Sequence, residues 1–406
     1  MSIAKIKSYL AKVDFPGDLA LLPDQAYLVG GSVRDALLQR YRNPPDLDFV
    51  LPEKAIATAK EFANLYGGGF VILDEEREIA RVVFDQGTLD LASQEGASLE
   101  TDLHRRDFTI NAIAYNLKSQ QLVDPLGGLA DLEQKVLRMV AVKNLEDDPL
   151  RLLRAYRQAA QLNFTIEAET QKAIGDRVAL LSTVAAERVQ AELNYLLVAP
   201  QGDKWLAAAI EDGLLNFWLP TSDRTDLAAL EGITTAIEGF LEMGGDRSQL
   251  KILTKLSVLV TSEPDLAEAE LTCLKYARNQ VKAVTKTVKY LPPLQQMTQT
   301  MSLREQYFWF LEVKDIFPLL MARAIALETP GEIINPLIDR YLDPTDPIAH
   351  PQCLITGNDL LRELNLKPSR LIGELLTEIQ VAQIESKVTT FQQAIDFAHA
   401  ILRSKT

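Results

Sequence analysis

GGSVRD at Gly30–Asp35 and DLD at Asp46–Asp48 are the two stretches on which the fold turns. A glycine pair entering a helix presents backbone N–H groups that can hold phosphate. Two aspartates spaced i, i+2 on a strand point to one face, because side chains alternate along extended chain. Such a pair of carboxylates suits two Mg²⁺ ions clamped on a nucleotide triphosphate. Phosphate loop, helix and metal strand, in that order, read as a nucleotidyl-transfer site. Each piece alone has a plainer reading: a tight strand-to-helix turn for Gly30-Gly31, and a solvated strand end for Asp46 and Asp48. Arg34, one turn into the helix, is placed to reach a phosphate or to pair at the surface with Asp35. A third carboxylate would complete the clamp. Asp90, in the otherwise apolar strand TLDLA (88–92), is the candidate, against an ordinary outward residue of an alternating strand.

Outward from this centre, residues 1–140 carry strand-like stretches at AYLVG (26–30), DLDFVL (46–51), GFVIL (69–73), ARVVF (80–84), TLDLA (88–92) and QLVDPL (121–126). Helical segments separate them, notably VRDALLQRY and EKAIATAKEFANLYG. An α+β head with a small, mainly antiparallel sheet follows. Beyond about 141 strand signals disappear. Amphipathic helix is expected over 149–162, 168–180, 184–197, 204–213, 226–242, 248–260, 264–292, 303–327 and 357–401. LPP at 291–293 and the proline clusters of 330–348 punctuate this helical part, and the 141–148 junction reads as rigid. The expected division is a catalytic head (1–140), a neck with a base-recognising helix (141–200), a helical body (201–292) and a helical tail expected to bind tRNA (293–406).

Composition narrows the class. At 47% hydrophobic and 24% charged the chain is ordinary for globular protein. Two cysteines, Cys273 and Cys353, form no CxxC pair, which fits a reducing cytoplasm. Three histidines cannot build a histidine-rich metal site. No apolar run reaches membrane-span length, and MSIAKIKSYLAKVDFP lacks the apolar core of a signal peptide. The net charge of −14 argues against a nucleic-acid partner as a bulk number, but binding depends on where cations lie. Oligomeric state is not readable.

Two further clusters carry polar chemistry. In DLHRRDFTINAIAYNL (102–117), Arg105, Arg106, Asp107 and Asn111 precede or enter an apolar helix, with Asp107 and Asn111 on one face. Arginines suit phosphate, and an acid beside them suits ribose hydroxyls. In EDDPLRLLRAYR (146–157), Pro149 fits the first helical position with Asp148 as N-cap. Asp147 and Asp148 each lie within a turn of Arg151. Arg donors with an Asp acceptor can read the edge of cytosine or adenine; the plainer reading is a capped, salt-bridged helix start.

GGSVRD…DLD, RRDFTINA, DPLGGLADL (124–132), DDPLRLLRAYR (147–157) and ERVQAEL (187–193) occur in one order. Together they resemble the five motifs of class II tRNA nucleotidyltransferases, the CCA-adding enzymes, and of their bacterial poly(A) polymerase relatives. ITGNDLLRELNLKPSRLIGELLTEIQ (355–380) resembles the tail of that family. The resemblance implies a polymerase-β-like head followed by all-α neck, body and tail, and an enzyme that builds part or all of the tRNA 3′-CCA end. It implies two Mg²⁺ on Asp46 and Asp48, with Asp90 beside them. Gly30, Gly31 and Arg34 would meet the triphosphate, and Arg106, Asp107 and Asn111 the phosphate and ribose. Asp148 and Arg151 would read the base, with Arg154 counted among the nucleotide-binding residues. CTP is the implied substrate, with ATP left open. The rivals are a poly(A) polymerase and a non-catalytic RNA-binding relative.

Two departures stand out. The template motif begins Asp147-Asp148 where the family has Glu-Asp. Asp48 and Arg105 lie only 57 positions apart, and one helix and three strands fill the interval, leaving SQEGASLETDL (93–103) as free loop. CCA-adding members place a flexible loop in that interval; the short version resembles CC-adding members, which stop after two cytidines.

The RNA itself has a candidate surface. In LTCLKYARNQVKAVTKTVKYL (271–291), Lys275, Arg278, Lys282, Lys286 and Lys289 share one helical face, and no acid occurs from Leu271 to Leu303. The reading is phosphate contact, against a plain solvated face.

Overall fold

The computed structural model describes residues 2–41, 43–221, 227–239, 246–297 and 299–405. They fall into two compact units, Met1–Phe217 and Trp218–Thr406.

The first unit opens with α1 (Ser2–Leu10), β1 (Tyr27–Val29), α2 (Gly30–Leu38), β2 (Asp46–Leu51) and α3 (Ala55–Tyr66). It continues with β3 (Gly69–Asp74), β4 (Ile79–Phe84), β5 (Gly87–Ser93), α4 (Leu99–His104), β6 (Ala114–Asn116) and β7 (Leu122–Val123). These strands make one sheet in the order β3-β4-β5-β2-β1-β6-β7, in which β2 and β5 run parallel and all other neighbours antiparallel.

Alternation in DLDFVL explains its place at the centre. Leu47, Phe49 and Leu51 are buried on one face, as are Leu89 and Leu91 of β5 and Ala80 and Val82 of β4. α3 packs against β4 and β5 and buries Ala59, Phe62 and Ala63. The opposite face of β2 carries Asp46, Asp48 and Val50.

The remainder of this unit is mainly helical: α5 (Gly128–Gln134), β8 (Val136–Leu137), α6 (Val142–Asp147), α7 (Leu150–Leu162), β9 (Thr165–Ile166), α8 (Ala168–Gly175), α9 (Ala186–Val198) and α10 (Gly202–Glu211). α7 packs on α9 and α10 through Leu152, Leu153, Tyr156, Ala159 and Ala160. α10, expected to open the body, thus belongs to the first unit.

The second unit comprises α11 (Leu227–Gly239), α12 (Arg247–Leu259), α13 (Pro264–Cys273), α14 (Arg278–Gln295), α15 (Leu303–Val313), α16 (Phe317–Ala326), α17 (Gly331–Leu342), α18 (Gly357–Glu363), α19 (Arg370–Ile384) and α20 (Phe391–Lys405). One core gathers Phe310, Phe317, Leu320, Met321 and Ile334; another joins Leu360, Leu375, Ile379, Ala394 and Ala398. Among the described residues no helix is long and apolar enough to cross a membrane.

Several expectations need correction. The apolar segment after Arg106 is not a helix. Thr109–Asn111 is a 3₁₀ turn, and Ala114–Asn116 is β6, which pairs with β1. Strand signal also persists past 141: Thr165–Ile166 pairs with Val136–Leu137. Pro292 and Pro293 lie inside α14, so the expected body–tail boundary at 292 falls within a helix, and Pro336 lies inside α17. The long helices read over 264–292, 303–327 and 357–401 are each broken. The end of the expected 226–242 helix reaches residues 240–242, outside the described residues.

Candidate active site

β1 and α2 meet at Gly30, where φ is +66°, a left-handed value that glycine enters without penalty. Space around it is tight as well. A Cβ here would stand 3.2 Å from Arg106 Nη1 and 3.8 Å from Asp48 Oδ2. The glycine therefore lets backbone, metal strand and arginine converge. Ser32, one residue beyond the pair, locks helix to strand. Its hydroxyl donates to the Asp46 carbonyl (3.0 Å) and to Asp48 Oδ2 (3.3 Å), and it accepts from the Asp48 N–H (3.0 Å).

The parallel register sets Asp48 directly beside Asp90. As a result, Asp46, Asp48 and Asp90 each bring a carboxylate oxygen within 4.8 Å of the others. Crowding has an electrostatic consequence. Burial, then the neighbouring charges of Asp46 and Asp90, push the Asp48 carboxyl up to about 7, against the pull of Arg106 and Ser32. Asp90 is chelated by Arg81, its cross-strand neighbour on β4, through two bonds of 2.7 Å. Carboxylate oxygens so gathered, one of them unable to ionise freely at neutral pH, fit a divalent cation with a preference for oxygen.

Opposite the acids stands a cage of arginines and amides, each fixed by a partner. Arg34 is 5% exposed. It bonds Asp35 (2.9 Å), Asn111 Oδ1 (2.8 Å) and Gln158 Oε1 (3.2 Å), so its pairing with Asp35 is buried, not superficial. Asn111 donates to Asp107 Oδ1 (2.9 Å) and to Gln158 Oε1 (3.0 Å), making the Asp107–Asn111 contact expected from a helix through a 3₁₀ turn instead. Burial alone would push the Asp107 carboxyl up, but Arg154, the Asn111 amide, Arg151 and the Phe108 N–H hold it below the usual range. Arg106 is gripped by Asp102 (2.9 and 3.2 Å). On α9, Glu192 holds both Arg154 (3.1 Å) and Arg157.

These groups line an open cleft of 530 Å³ bounded by Gly30, Gly31, Asp46, Asp48 and Asp90 on one side, and by Arg106, Asp107, Asn111, Arg154 and Arg157 on the other. A second cleft of 490 Å³ shares Arg106 and Arg151 with it and adds Arg77, Glu95, Arg105, Asp147, Asp148 and Arg188.

The pair expected to read the base is arranged differently. Asp148 does not cap α7; Pro149 takes the N-cap position without a side-chain bond. The Asp148 carboxylate accepts from Arg188 (3.0 and 3.1 Å) and lies 4.0 Å from Arg151 Nε. Arg151 Nη1 donates to the carbonyls of Arg105 and Asn144 (both 2.9 Å), while its Nε is buried without a hydrogen bond. Asp147 turns away to Lys143. Sequence reasoning missed Ser32, Gln158, Asp102, Arg81, Arg157 and Arg188. Gln158 was accessible, four and seven residues beyond Arg154 and Arg151 and so on their helical face.

The interval between Asp48 and Arg105 is tighter than expected. Ser98 caps α4, which takes up the second half of SQEGASLETDL. Glu95 closes the rest: its N–H bonds Asp102 (3.1 Å) and its carboxylate pairs with Arg105 (2.9 Å).

In the second unit the basic stripe is incomplete. α13 ends in a Schellman turn, with Tyr276 N–H on the Leu271 carbonyl and Lys275 N–H on that of Thr272. Lys275 occupies the left-handed position (φ 63°), so it leaves the helical face. Arg278, Lys282 and Lys289 are exposed on α14, and Lys286 donates to the Glu312 carbonyl (2.9 Å).

Three family models match the chain: a poly A polymerase head domain over 26–138, a probable RNA and SrmB-binding site of polymerase A over 163–224, and a putative tRNA nucleotidyltransferase domain 2 over 247–398. A CC-adding tRNA nucleotidyltransferase of Synechocystis is 47% identical over 96% of both chains. One of Geobacter sulfurreducens is 31% identical over 91% of this chain and 90% of its own. A Thermotoga maritima CCA-adding enzyme, solved in complex with tRNA, superposes with a TM-score of 0.75 over 98% of each chain at 22% identity, which shows a shared fold.

The acid cluster makes stability depend on pH. In the folded chain the Asp48 carboxyl keeps its proton to about 7, against 3.8 for a free aspartate. The folded state then binds more protons than the unfolded one between those values. This group's contribution is full below the lower value and is lost as pH rises through the upper one. With divalent cations chelated, Asp48→Asn is expected to melt higher than wild type at about pH 8 and to show a smaller fall in melting temperature between about pH 5.5 and about pH 8, measured by calorimetry.

Proposed function

We propose that this chain, which belongs to the tRNA nucleotidyltransferase and poly(A) polymerase family, adds two cytidines from CTP to the 3′ end of tRNA that lacks its CCA. The observation that carries the chemistry is the carboxylate cluster of Asp46, Asp48 and Asp90 facing a cage of anchored arginines across one cleft. The lean toward CC rests on the interval tied down at Glu95 and on the 47% identity to a CC-adding relative.

In this reading Asp46 and Asp48 would hold Mg²⁺, two ions by the family resemblance, which would supply charge neutralisation at the triphosphate and lower the pKa of the 3′-hydroxyl. The chain's own groups bind and orient. Arg106, Arg154 and Arg157 bring guanidinium donors already immobilised by Asp102, Asp107 and Glu192, so little side-chain freedom is lost when phosphate arrives. Gly30 and Gly31 keep the floor of the cleft free of side chains. Arg34, buried beneath, holds Asn111 and through it Asp107, the pair assigned to ribose and phosphate. Arg151 and Asp148 offer a donor and an acceptor for the cytosine edge. Asp90, chelated by Arg81, completes the acidic wall beside Asp48. The exposed, unpaired thiols of Cys273 and Cys353 suit a reducing cytoplasm.

On tRNA lacking CCA, labelled CTP and ATP together should give a product two nucleotides longer, sized on a sequencing gel. A tRNA already ending in CC, given ATP alone, should remain unextended. Efficient conversion to CCA would mark a full CCA-adding enzyme, and a long adenosine ladder a poly(A) polymerase.

Asp46→Ala should cut incorporation by about 10³-fold or more, because a lost carboxylate weakens transition-state stabilisation by several kcal/mol. Filter binding of tRNA should stay near the wild-type value.

For the stripe, changing Arg278, Lys282 and Lys289 together to Glu should raise KM for tRNA and leave the preference for CTP intact, since phosphate contacts position without reading sequence. The log–log salt dependence of binding should flatten by about 0.7–0.9 per lost contact.

A further inference from the structure

Arg188, Glu192 and Tyr195 follow one another on α9 at spacings of four and three, and so lie along one edge of the helix. The first two serve the clefts. Arg188 lines the second cleft and pairs with Asp148, and Glu192 fixes Arg154 and Arg157 at the first. Tyr195 comes next along the same edge, about 10 Å from Arg188 at the helical rise. Tyr195 is 58% exposed. The guanidinium of Arg157, which lines that cleft, stands 6.0 Å from the ring centroid.

An aromatic ring with a cation on one side and open solvent around it is the arrangement on which unpaired nucleobases stack. Position on the same edge as Arg188 and Glu192, direct coupling to a cleft-lining arginine, and exposure agree on one ligand class. We propose that Tyr195, with Arg157, is a stacking platform for an unpaired nucleobase of the RNA strand whose 3′ end enters the cleft. The assignment rests on the function proposed above. The reacting hydroxyl belongs at the carboxylate cluster, so the stacked base lies upstream of the terminal nucleotide.

The test uses the full chain and a tRNA that ends in the first added cytidine, with 2-aminopurine as the unpaired base before it, whose fluorescence is quenched by stacking. Without CTP, wild type and Tyr195→Phe should quench it on binding, and Tyr195→Ala should bind with little quenching. In steady state, Tyr195→Ala should raise KM for tRNA roughly ten-fold, with KM for CTP unchanged and Tyr195→Phe near wild type. Melting temperatures should match, as the ring is exposed. Undiminished quenching and unaltered KM in Tyr195→Ala would overturn the platform, as would a Tyr195→Phe variant as impaired as the alanine. A wild-type chain that binds and quenches but incorporates no cytidine would instead overturn the proposed function, because the quench is read without turnover.

Discussion

The parallel pairing of β2 with β5 forces Asp48 and Asp90 side by side, and the rest of the head is organised around that enforced repulsion. Three carboxylates within 4.8 Å repel one another, and the Asp48 carboxyl holds its proton to about 7 as a result of that and of burial. Hydrophobic burial of Leu47, Phe49, Leu89 and Leu91 on the other face keeps them there. Core packing fixes the register, and the register creates an acidic focus that the side chains alone would avoid.

Around this focus positive charge is distributed in anchored form. Arg106 is held by Asp102, Arg154 by Asp107 and Glu192, Arg157 by Glu192, and Arg81 by Asp90. A chain of net charge −14 thus presents an arginine-lined cleft, in which Asp102, Asp107 and Glu192 hold the arginines still. Arg151 is the exception: its Nε is buried and unbonded, and the nearest carboxylate, Asp148, is turned to Arg188. Arg151 Nη1 is held by the Arg105 and Asn144 carbonyls instead.

What the sequence made legible was local and periodic. DLDFVL alternates cleanly, and the structure gives it the expected bounds. TINAIAYNL misled because a short apolar run reads as helix or as buried strand, and only its pairing with β1 decides. Lys275 misled because its helix ends in a Schellman turn with lysine in the left-handed place usually taken by glycine. The pairs Asp102–Arg106 and Arg188–Asp148 differ in kind: the first, four residues apart, was readable, while the second joins positions forty apart and no local signal announces it.

The tied interval has a consequence for how such an enzyme counts. Glu95 is fastened to Asp102 and Arg105, Gln94 to Leu51 and Ser98 to Thr101, so this part of the head offers no long arm to swing between one addition and the next. On the proposed reading, progress must then be registered by the strand that grows. Each new nucleotide occupies room in clefts of 530 and 490 Å³ whose walls are already braced. The stopping point becomes a matter of capacity, with a fixed vessel gauging how much strand it has taken in.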